Sequence, residues 1–119
     1  MKAKVMTVDD DQVLRCLVTM LLVKEGYEVV EAVDCASLRQ AFDGPAPNLV
    51  LLDLALPDGN GLDLLPELKQ RWPQTKVIIL TGHGTAKAAE FANQVGGVMW
   101  LSKPFDPEML KETVALALA

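Results

Sequence analysis

Five short apolar runs alternate along the chain with segments of helical spacing, and this alternation constrains the fold more than any other feature. The runs cover residues 4–8, 27–32, 48–52, 76–80 and 97–101. The central runs, at 48–52 and 76–80, are apolar after their first residue, without the alternation of a half-exposed strand. Such runs are typical of parallel strands covered by helices on both faces. The pattern therefore predicts an α/β fold.

The segments that follow these runs have the spacing and end signals of helices. Predicted helices cover residues 13–25, 34–42, 62–71, 85–95 and 107–118. Asp34 or Ser37 is expected to begin the second, and Pro107 fits the first turn of the last. The stripe of the first helix expected to face the core consists of Leu14, Leu17, Val18 and Leu21. Because parallel strands are joined by right-handed crossovers, we expect one domain, residues 1–119, with a single doubly wound five-stranded parallel sheet and five helices.

Composition excludes several classes of protein. Half of the 119 residues are hydrophobic and 23% are charged, which is too apolar for a disordered chain. Lys and Arg number 11 against 16 Asp and Glu, so the net charge is −5 and direct nucleic-acid binding by this domain is not expected. No segment approaches the ~18 apolar residues of a membrane helix, and the apolar start ends too early for a signal peptide. We therefore expect a soluble, cytoplasmic protein.

Two cysteines and two aromatic residues are expected to have structural roles. Cys16 and Cys35 are too few for a disulfide framework or a metal site. Both lie beside apolar residues, which predicts small buried or half-buried thiols. Phe42 and Trp72 end predicted helices and are expected to be partly buried in the core.

Polar residues follow four of the five predicted strands. Asp9 and Asp10 follow the first, Asp53 the third, Thr81 the fourth and Lys103 the fifth. Because the carboxyl ends of parallel strands open on one edge of the sheet, where ligands bind, we expect these side chains to converge. Three carboxylates, a hydroxyl and an ammonium then share one site.

Each of these residues has a simpler interpretation when it is taken alone. Asp11, or its neighbours, caps the first helix; Thr81 is a turn hydroxyl; Lys103 is a solvated loop residue; and Asp53 starts a turn before Pro57. Their joint occurrence at the strand ends favours a functional site over four separate coincidences.

The expected cluster needs a counter-charge. Two carboxylates ~4 Å apart repel by about 4 kcal/mol at an effective dielectric constant near 20. Lys103 supplies one positive charge, and a divalent cation supplies two. Oxygen ligands without His or Cys select a hard ion such as Mg²⁺ or Mn²⁺. A metal, a carboxylate, a hydroxyl and a lysine together favour phosphoryl transfer to a carboxylate.

Four motifs then carry a family resemblance. They are Val8-Asp9-Asp10-Asp11, Leu51-Leu52-Asp53-Leu54-Ala55-Leu56-Pro57-Asp58-Gly59-Asn60-Gly61, Leu80-Thr81-Gly82, and Trp100-Leu101-Ser102-Lys103-Pro104-Phe105. In this order and spacing, along all 119 residues, the chain resembles the receiver domain of bacterial two-component response regulators. The resemblance implies a flavodoxin-like strand order, 2-1-3-4-5, and a phosphorylation-controlled signalling switch that catalyses only its own phosphorylation and dephosphorylation.

The resemblance also implies a metal site. Asp53 is the phosphoryl acceptor and a ligand of Mg²⁺. Asp10 binds the ion directly, Asp9 binds it through a water molecule, and the backbone carbonyl of Ala55 is a further ligand.

The remaining implied roles concern the phosphoryl group and the partners. Thr81 contacts the phosphoryl oxygens, and Lys103 pairs with the acceptor and then with the phosphoryl group. The Lys103–Pro104 peptide bond is cis in the family's usual pattern. The donor is a phosphohistidine on a sensor histidine kinase or a histidine phosphotransfer protein. The output face is formed by the predicted helix 85–95, the fifth strand and the last helix. The resemblance also implies a homodimer that forms through this face.

Two residues depart from the commonest pattern of the family. Trp100 occupies the switch position, which usually holds Tyr or Phe, and its bulk is expected to restrict inward rotation; the alternative is that the indole simply packs on the surface. Ala55 has no side chain that can orient an attacking water. His83, two residues after Thr81, is expected to be a solvated loop residue and not a phosphate carrier.

Three other functions fit the same residues less well. Phosphohydrolases with an aspartyl nucleophile carry a second carboxylate two residues later, where this chain has Ala55. Nucleotide-binding modules place glycines or hydroxyls after the first strand, where this chain has three Asp residues. A receiver-like scaffold that is never phosphorylated usually lacks the acid pair, the acceptor or the lysine, and all are present here.

Overall fold

The computed structural model describes residues 2–82 and 98–119. Its main sheet has five parallel strands: β1 (Lys4–Val8), β2 (Glu28–Ala32), β3 (Leu49–Asp53), β4 (Lys76–Thr81) and β5 (Val98–Ser102). The strands lie in the order β2-β1-β3-β4-β5. In the register Val5 lies opposite both Val29 and Leu49, and Thr81 lies opposite Ser102. The α/β class and the flavodoxin-like order 2-1-3-4-5 are therefore confirmed.

Four helices surround the sheet in the described part of the chain: α1 (Gln12–Lys24), α2 (Cys35–Ala41), α3 (Leu65–Arg71) and α4 (Pro107–Leu118). The predicted helix 85–95, together with His83, lies outside the described residues. The helix predicted at 62–71 is shorter, because a 3₁₀ turn (Gly61–Leu64) precedes α3, whose first turn holds a proline. A short hairpin of Ala55–Leu56 paired with Gly59–Asn60, which we call the acceptor hairpin, was not predicted.

Aspartate side chains begin three of the helices. Asp11 accepts a hydrogen bond from the Leu14 amide at 3.1 Å, and Asp106 accepts one from the Met109 amide at 2.8 Å. Asp34, rather than Ser37, is the N-cap of α2. These carboxylates satisfy amides that have no partner within the helix. The capping interpretation of Asp11 is therefore confirmed, which leaves Asp9 and Asp10 for another role.

Alternate residues of the central strands pack on opposite faces of the sheet. Val50 and Leu52 belong to a core with α2 and α3, whereas Leu49 and Leu51 belong to a core with α1 and α4. All four are fully buried. Because both faces are covered, apolar residues are required at every position, which explains the continuous apolar runs.

The structure corrects two expectations about α1. Cys16 is exposed, and Leu17 has 47% of its surface exposed. The residues that bury α1 against the sheet are Val18 and Leu22. Cys16 precedes Val18 by two residues, about 200° around the helix, so it faces away from the sheet. Leu17 lies beside the buried stripe rather than in it.

The expectations for the other three residues with structural roles hold. Cys35 is buried. Phe42 and Trp72 are buried too, and their rings meet edge to face with centroids 5.0 Å apart. Within residues 2–82 and 98–119, no helix combines the length and the apolar character needed to cross a bilayer.

Candidate functional site

Three aspartates gather at the carboxyl edge of the sheet. Asp9 follows β1 directly and Asp53 is the last residue of β3, and both are buried. Asp10 is exposed. One carboxylate oxygen from each of the three lies within 4.8 Å of the other two. Adjacent strands β1 and β3 bring the residues together, as the positions of the strand ends predict.

Lys103 supplies the positive charge of the cluster. Its ammonium donates to Asp9 Oδ2 at 3.1 Å and lies 3.3 Å from Asp53 Oδ1. The Lys103 amide donates to the Thr81 carbonyl at 2.8 Å, and the Lys103–Pro104 peptide bond is cis. The backbone that follows β5 is therefore attached to the end of β4, and it carries the ammonium over the end of β3.

The charges of the cluster shift the protonation equilibria of two groups. Burial raises the pKa of the Asp53 carboxyl; the positive charge of Lys103 opposes this shift, and the negative charge of Asp9 adds to it. Burial alone lowers the pKa of Lys103, but the carboxylates of Asp53 and Asp9 outweigh it and raise that pKa. Lys103 is therefore charged at neutral pH, and the ionised Asp53 lies in an environment that does not fully compensate it.

Arg15 holds the backbone of Asp9 in place, and the sequence analysis did not predict this role of Arg15. Its Nη1 donates to the Asp9 carbonyl at 2.8 Å, and its Nε donates to Glu31 Oε1 at 2.7 Å. The Asp9 amide donates to the Ala32 carbonyl at 3.1 Å. These bonds attach the residues after β1 to the end of β2. The only feature of the sequence that points to this role is the position of Arg15 near the start of α1.

The acceptor hairpin is packed directly against Asp53. The Ala55 amide donates to Asp53 Oδ1 at 3.4 Å, and the Gly61 amide donates to the Leu54 carbonyl at 2.9 Å. A Cβ atom at Gly61 would overlap the Asp53 carbonyl oxygen. Only glycine therefore fits at position 61 without a backbone shift.

Thr81 and Trp100 lie on neighbouring strands. Thr81 is buried at the end of β4, whereas Trp100 lies on β5 with 41% of its surface exposed. Trp100 is opposite Ile79 in the register, two residues before Thr81 on β4. The indole therefore occupies a partly exposed position in this structure. Thr81 is beside the segment that follows β5, residues 103–106, which we call the lysine loop.

The donor set fits a divalent cation. Three carboxylates and one ammonium leave the cluster with two uncompensated negative charges. The ligand atoms are oxygens, with no imidazole or thiolate among them, which favours a hard ion such as Mg²⁺ over zinc. The acidic cluster is therefore able to bind a metal ion.

The fold and the site together place the chain among the flavodoxin-like α/β domains that carry an acidic site at the carboxyl edge of the sheet. The family model described as the response regulator receiver domain matches residues 5–115, and the chain belongs to this family. It is therefore a signalling domain of two-component systems.

Relatives and solved structures agree with the family. The chain is 34% identical over 117 residues to the DNA-binding transcriptional regulator NtrC of Azospirillum brasilense, and 35% identical over 117 residues to the response regulator protein PilR of Pseudomonas aeruginosa. Both matches cover 98% of this chain but only 24% and 26% of those proteins, so the chain spans about a quarter of the curated relatives it matches.

Two solved receiver domains have closely similar folds. The CheY-like receiver domain from Methanospirillum hungatei is 29% identical, with a TM-score of 0.92 over 99% of this chain and 94% of that one. The receiver domain of NtrX from Brucella abortus is 35% identical, with a TM-score of 0.87 over 96% of this chain and 97% of that one.

Proposed function

We propose that Asp53 accepts a phosphoryl group from a phosphohistidine in a Mg²⁺-dependent reaction. The observation that carries the proposal is the surrounding of Asp53: a buried carboxylate at a strand end, in contact with Lys103 and within 4.8 Å of two further carboxylates. A structural carboxylate rarely has two like charges so close, because their repulsion opposes folding. Binding of a divalent cation would offset that repulsion.

The residues have separate tasks in the proposed transfer. An Asp53 carboxylate oxygen attacks phosphorus, the new O–P bond forms, and the N–P bond to the donor imidazole breaks. The electron pair of that bond stays on the imidazole nitrogen, which takes up a proton from solvent. Lys103, already beside Asp53, pairs with the negative oxygens of the phosphoryl group, and the Thr81 hydroxyl donates to one of them.

Mg²⁺ would supply positive charge that stabilises the transferring phosphoryl oxygens. Asp10 and Asp53 would bind it directly, Asp9 would bind it through water, and the Ala55 carbonyl would complete the protein ligands. Mn²⁺ has the same preference for oxygen ligands and is expected to substitute.

The surface beside the site suits a protein donor. A groove next to Lys103 is lined by Val13, Leu17, Pro104 and Phe105. Val13 has 80% of its surface exposed, so this apolar area is open to a partner. We assign it to the phosphohistidine donor because it borders the acceptor site. Val13→Glu should slow transfer from a sensor kinase while leaving transfer from acetyl phosphate unchanged; equal slowing of both would contradict the assignment.

The output of the proposed switch is expected in the two elements joined to the lysine loop, β5 before it and α4 after it. Movement of Thr81 and of the lysine loop toward the phosphoryl group would be passed to β5, which carries Trp100, and to α4. These elements, with the predicted helix 85–95, form the surface proposed for partner binding or homodimer formation. Met109 and Leu116 on α4 are exposed apolar residues that suit such contacts.

Labelling with acetyl phosphate and Mg²⁺ tests the proposed function. Intact mass should rise by one phosphoryl group in the wild type and not in Asp53→Ala, and hydroxylamine should remove the group because it is an acyl phosphate. Labelling that persists in Asp53→Ala would identify another acceptor. No labelling of the wild type, under conditions that label a known receiver domain, would favour a scaffold that is never phosphorylated.

A further inference from the structure

The turn of the acceptor hairpin is attached to the first turn of α2 by Asp58. The Cys35 amide donates to Asp58 Oδ1 at 2.8 Å, and the Ala36 amide donates to Asp58 Oδ2 at 3.0 Å. Both carboxylate oxygens are therefore used, and their partners are the first two residues of α2. The contact joins residues that are 22 and 23 positions apart in the chain.

The Asp58 contact is separate from the local cap of α2. Asp34 accepts from the Ser37 amide at 2.8 Å, and the Ser37 hydroxyl accepts in return from the Asp34 amide at 3.3 Å. The helix thus has its own capping box, which satisfies the third amide without help from the acceptor hairpin. Asp58 is an additional acceptor, and its contribution can be removed while the local cap stays.

Close packing supports the same attachment. Cys35 is buried, and a Cβ atom at Gly59 would lie 3.4 Å from its sulfur. Burial, followed by a side-chain hydrogen bond with Asp58, raises the pKa of the Cys35 thiol, so the thiol stays protonated. The start of α2 and the turn of the acceptor hairpin therefore meet through two amides and a thiol, and little free space remains beside Gly59.

At its other end the acceptor hairpin touches the acceptor residue itself. The Ala55 amide contacts Asp53 Oδ1, and Gly61 packs on the Asp53 backbone. A two-residue turn separates the paired strands of the hairpin, so only a short segment joins Asp58 to Ala55. Through this segment the position of α2 would affect the position of the Ala55 carbonyl.

We infer that Asp58 is a positioning residue that holds the acceptor hairpin on α2 and thereby presets the Ala55 carbonyl for Mg²⁺, an inference that rests on the proposed function. Coupling between two sites is reciprocal. Mg²⁺ binding at the acceptor site is therefore felt at the first turn of α2, on the face of the sheet opposite α1 and α4.

The test compares Asp58→Ala with Asp34→Ala. Both remove a carboxylate from the same end of α2, but only the first detaches the acceptor hairpin. Isothermal titration calorimetry with Mg²⁺ should show dissociation constants about fivefold higher in Asp58→Ala, less than the 10–100-fold typical of groups that contact a metal ligand directly, and nearly unchanged in Asp34→Ala. Asp58→Asn, which keeps one acceptor oxygen, should give a smaller increase.

Hydrogen exchange provides a second readout that does not depend on phosphorylation. Addition of Mg²⁺ should increase protection of the α2 amides in the wild type and in Asp34→Ala, and should leave them unchanged in Asp58→Ala. Equal changes in Mg²⁺ affinity for the two alanine variants, or unchanged affinity in Asp58→Ala, would overturn the inference.

The two hypotheses fail in different ways. If the wild type binds Mg²⁺ but acetyl phosphate does not label it, the acceptor role fails, and the calorimetric comparison still decides the role of Asp58. If the wild type binds no Mg²⁺, both hypotheses are wrong. A folded Asp58→Asn with wild-type Mg²⁺ affinity and wild-type exchange in α2 would contradict only the inference about Asp58.

Discussion

Gly61 lies so close to Asp53 that a Cβ atom at position 61 would overlap the Asp53 carbonyl oxygen. Gly61→Ala should therefore reduce the free energy of unfolding by about 1–3 kcal/mol, as overpacking of a filled site usually does. It should also slow labelling by acetyl phosphate, because the backbone of Asp53, the proposed acceptor, must shift. Urea denaturation measures the first effect and intact mass the second.

Gly44→Ala is the matched control for this substitution. A Cβ atom at Gly44 would lie 3.6 Å from the Ala41 carbonyl oxygen, an ordinary contact. Its stability should change little or rise slightly, because alanine restricts the unfolded chain more than glycine does. Equal losses of stability in the two variants would show that the proximity of Gly61 and Asp53 has no special effect.

Lys103→Met is expected to destabilise the protein when no metal is present. The substitution leaves the buried carboxylates of Asp9 and Asp53 without their counter-charge. Loss of one partner of a fully buried ion pair costs about 3–5 kcal/mol; the Lys103 side chain is 23% exposed, so we expect a smaller loss of about 2 kcal/mol. Thermal unfolding should also show that Mg²⁺ stabilises Lys103→Met more than the wild type, because the cation replaces the lost charge.

Lys111→Met is the control for the loss of a lysine charge. Lys111 pairs with Glu108, whose side chain is 74% exposed, and exposed pairs contribute little to stability. We expect a small effect that does not depend on Mg²⁺. A Lys103→Met protein that is as stable as Lys111→Met, with no extra response to Mg²⁺, would contradict the electrostatic description of the site.

Asp53→Asn should have the opposite effect in the absence of metal. Removal of one of three crowded carboxylates relieves repulsion, and Lys103 keeps Asp9 as its partner. We expect the free energy of unfolding at neutral pH to rise by about 1 kcal/mol, the scale of an ordinary point substitution. Added Mg²⁺ should stabilise the wild type more than Asp53→Asn. A variant that is less stable than the wild type would contradict the proposed repulsion.

The sheet and the acidic site could be predicted because both depend on local sequence. Apolar runs fix the strands to within a residue, and Asp9, Asp53 and Lys103 were identified because strand ends in a parallel sheet share one edge. Residues at the strand ends meet at the carboxyl edge of the sheet, so this prediction does not depend on the conformations of the loops.

The supporting contacts could not be predicted, since they join residues that are distant in the chain. Arg15 bonds to Glu31, and Asp58 bonds to the start of α2, through tertiary geometry that no spacing rule encodes. Gly and Pro near Asp58 indicated a turn, but not what its carboxylate contacts. Cys16 was placed on the wrong side of α1 because apolar neighbours in sequence are not neighbours on a helix face.

The bonds of Asp58 to α2 should make stability depend on pH. Hydrogen bonds from the backbone, that of Cys35 first, lower the pKa of the Asp58 carboxyl from its ordinary 3.8. A lowered folded-state pKa gives stability that is present above the ordinary value and is lost as the pH falls through the folded-state value. The stability difference between the wild type and Asp58→Asn should therefore shrink on acidification. Urea denaturation at decreasing pH checks this, and a difference that grows at low pH would contradict it.

Phosphorylation should change the structure around Thr81 and the lysine loop, not only around Asp53. The new group adds roughly −1.5 to −2 charges beside Lys103, and the loop should move toward it. Because the Lys103 amide is bonded to the Thr81 carbonyl, the end of β4 and the start of the lysine loop are expected to shift together.

Hydrogen exchange with and without beryllofluoride, a mimic of the phosphoryl group, measures this change. Protection should change over residues 98–103 and at Thr81, and α4 should follow because it packs on the same core as β5. The bulk of Trp100, which is 41% exposed, should keep its rotation incomplete. Its fluorescence should therefore change only slightly, even where the exchange of the β5 amides changes clearly. Changes confined to Asp53 and the acceptor hairpin would favour a passive phosphate carrier. Asp53→Ala lacks the carboxylate that holds beryllofluoride, so the mimic should not change the exchange of this variant.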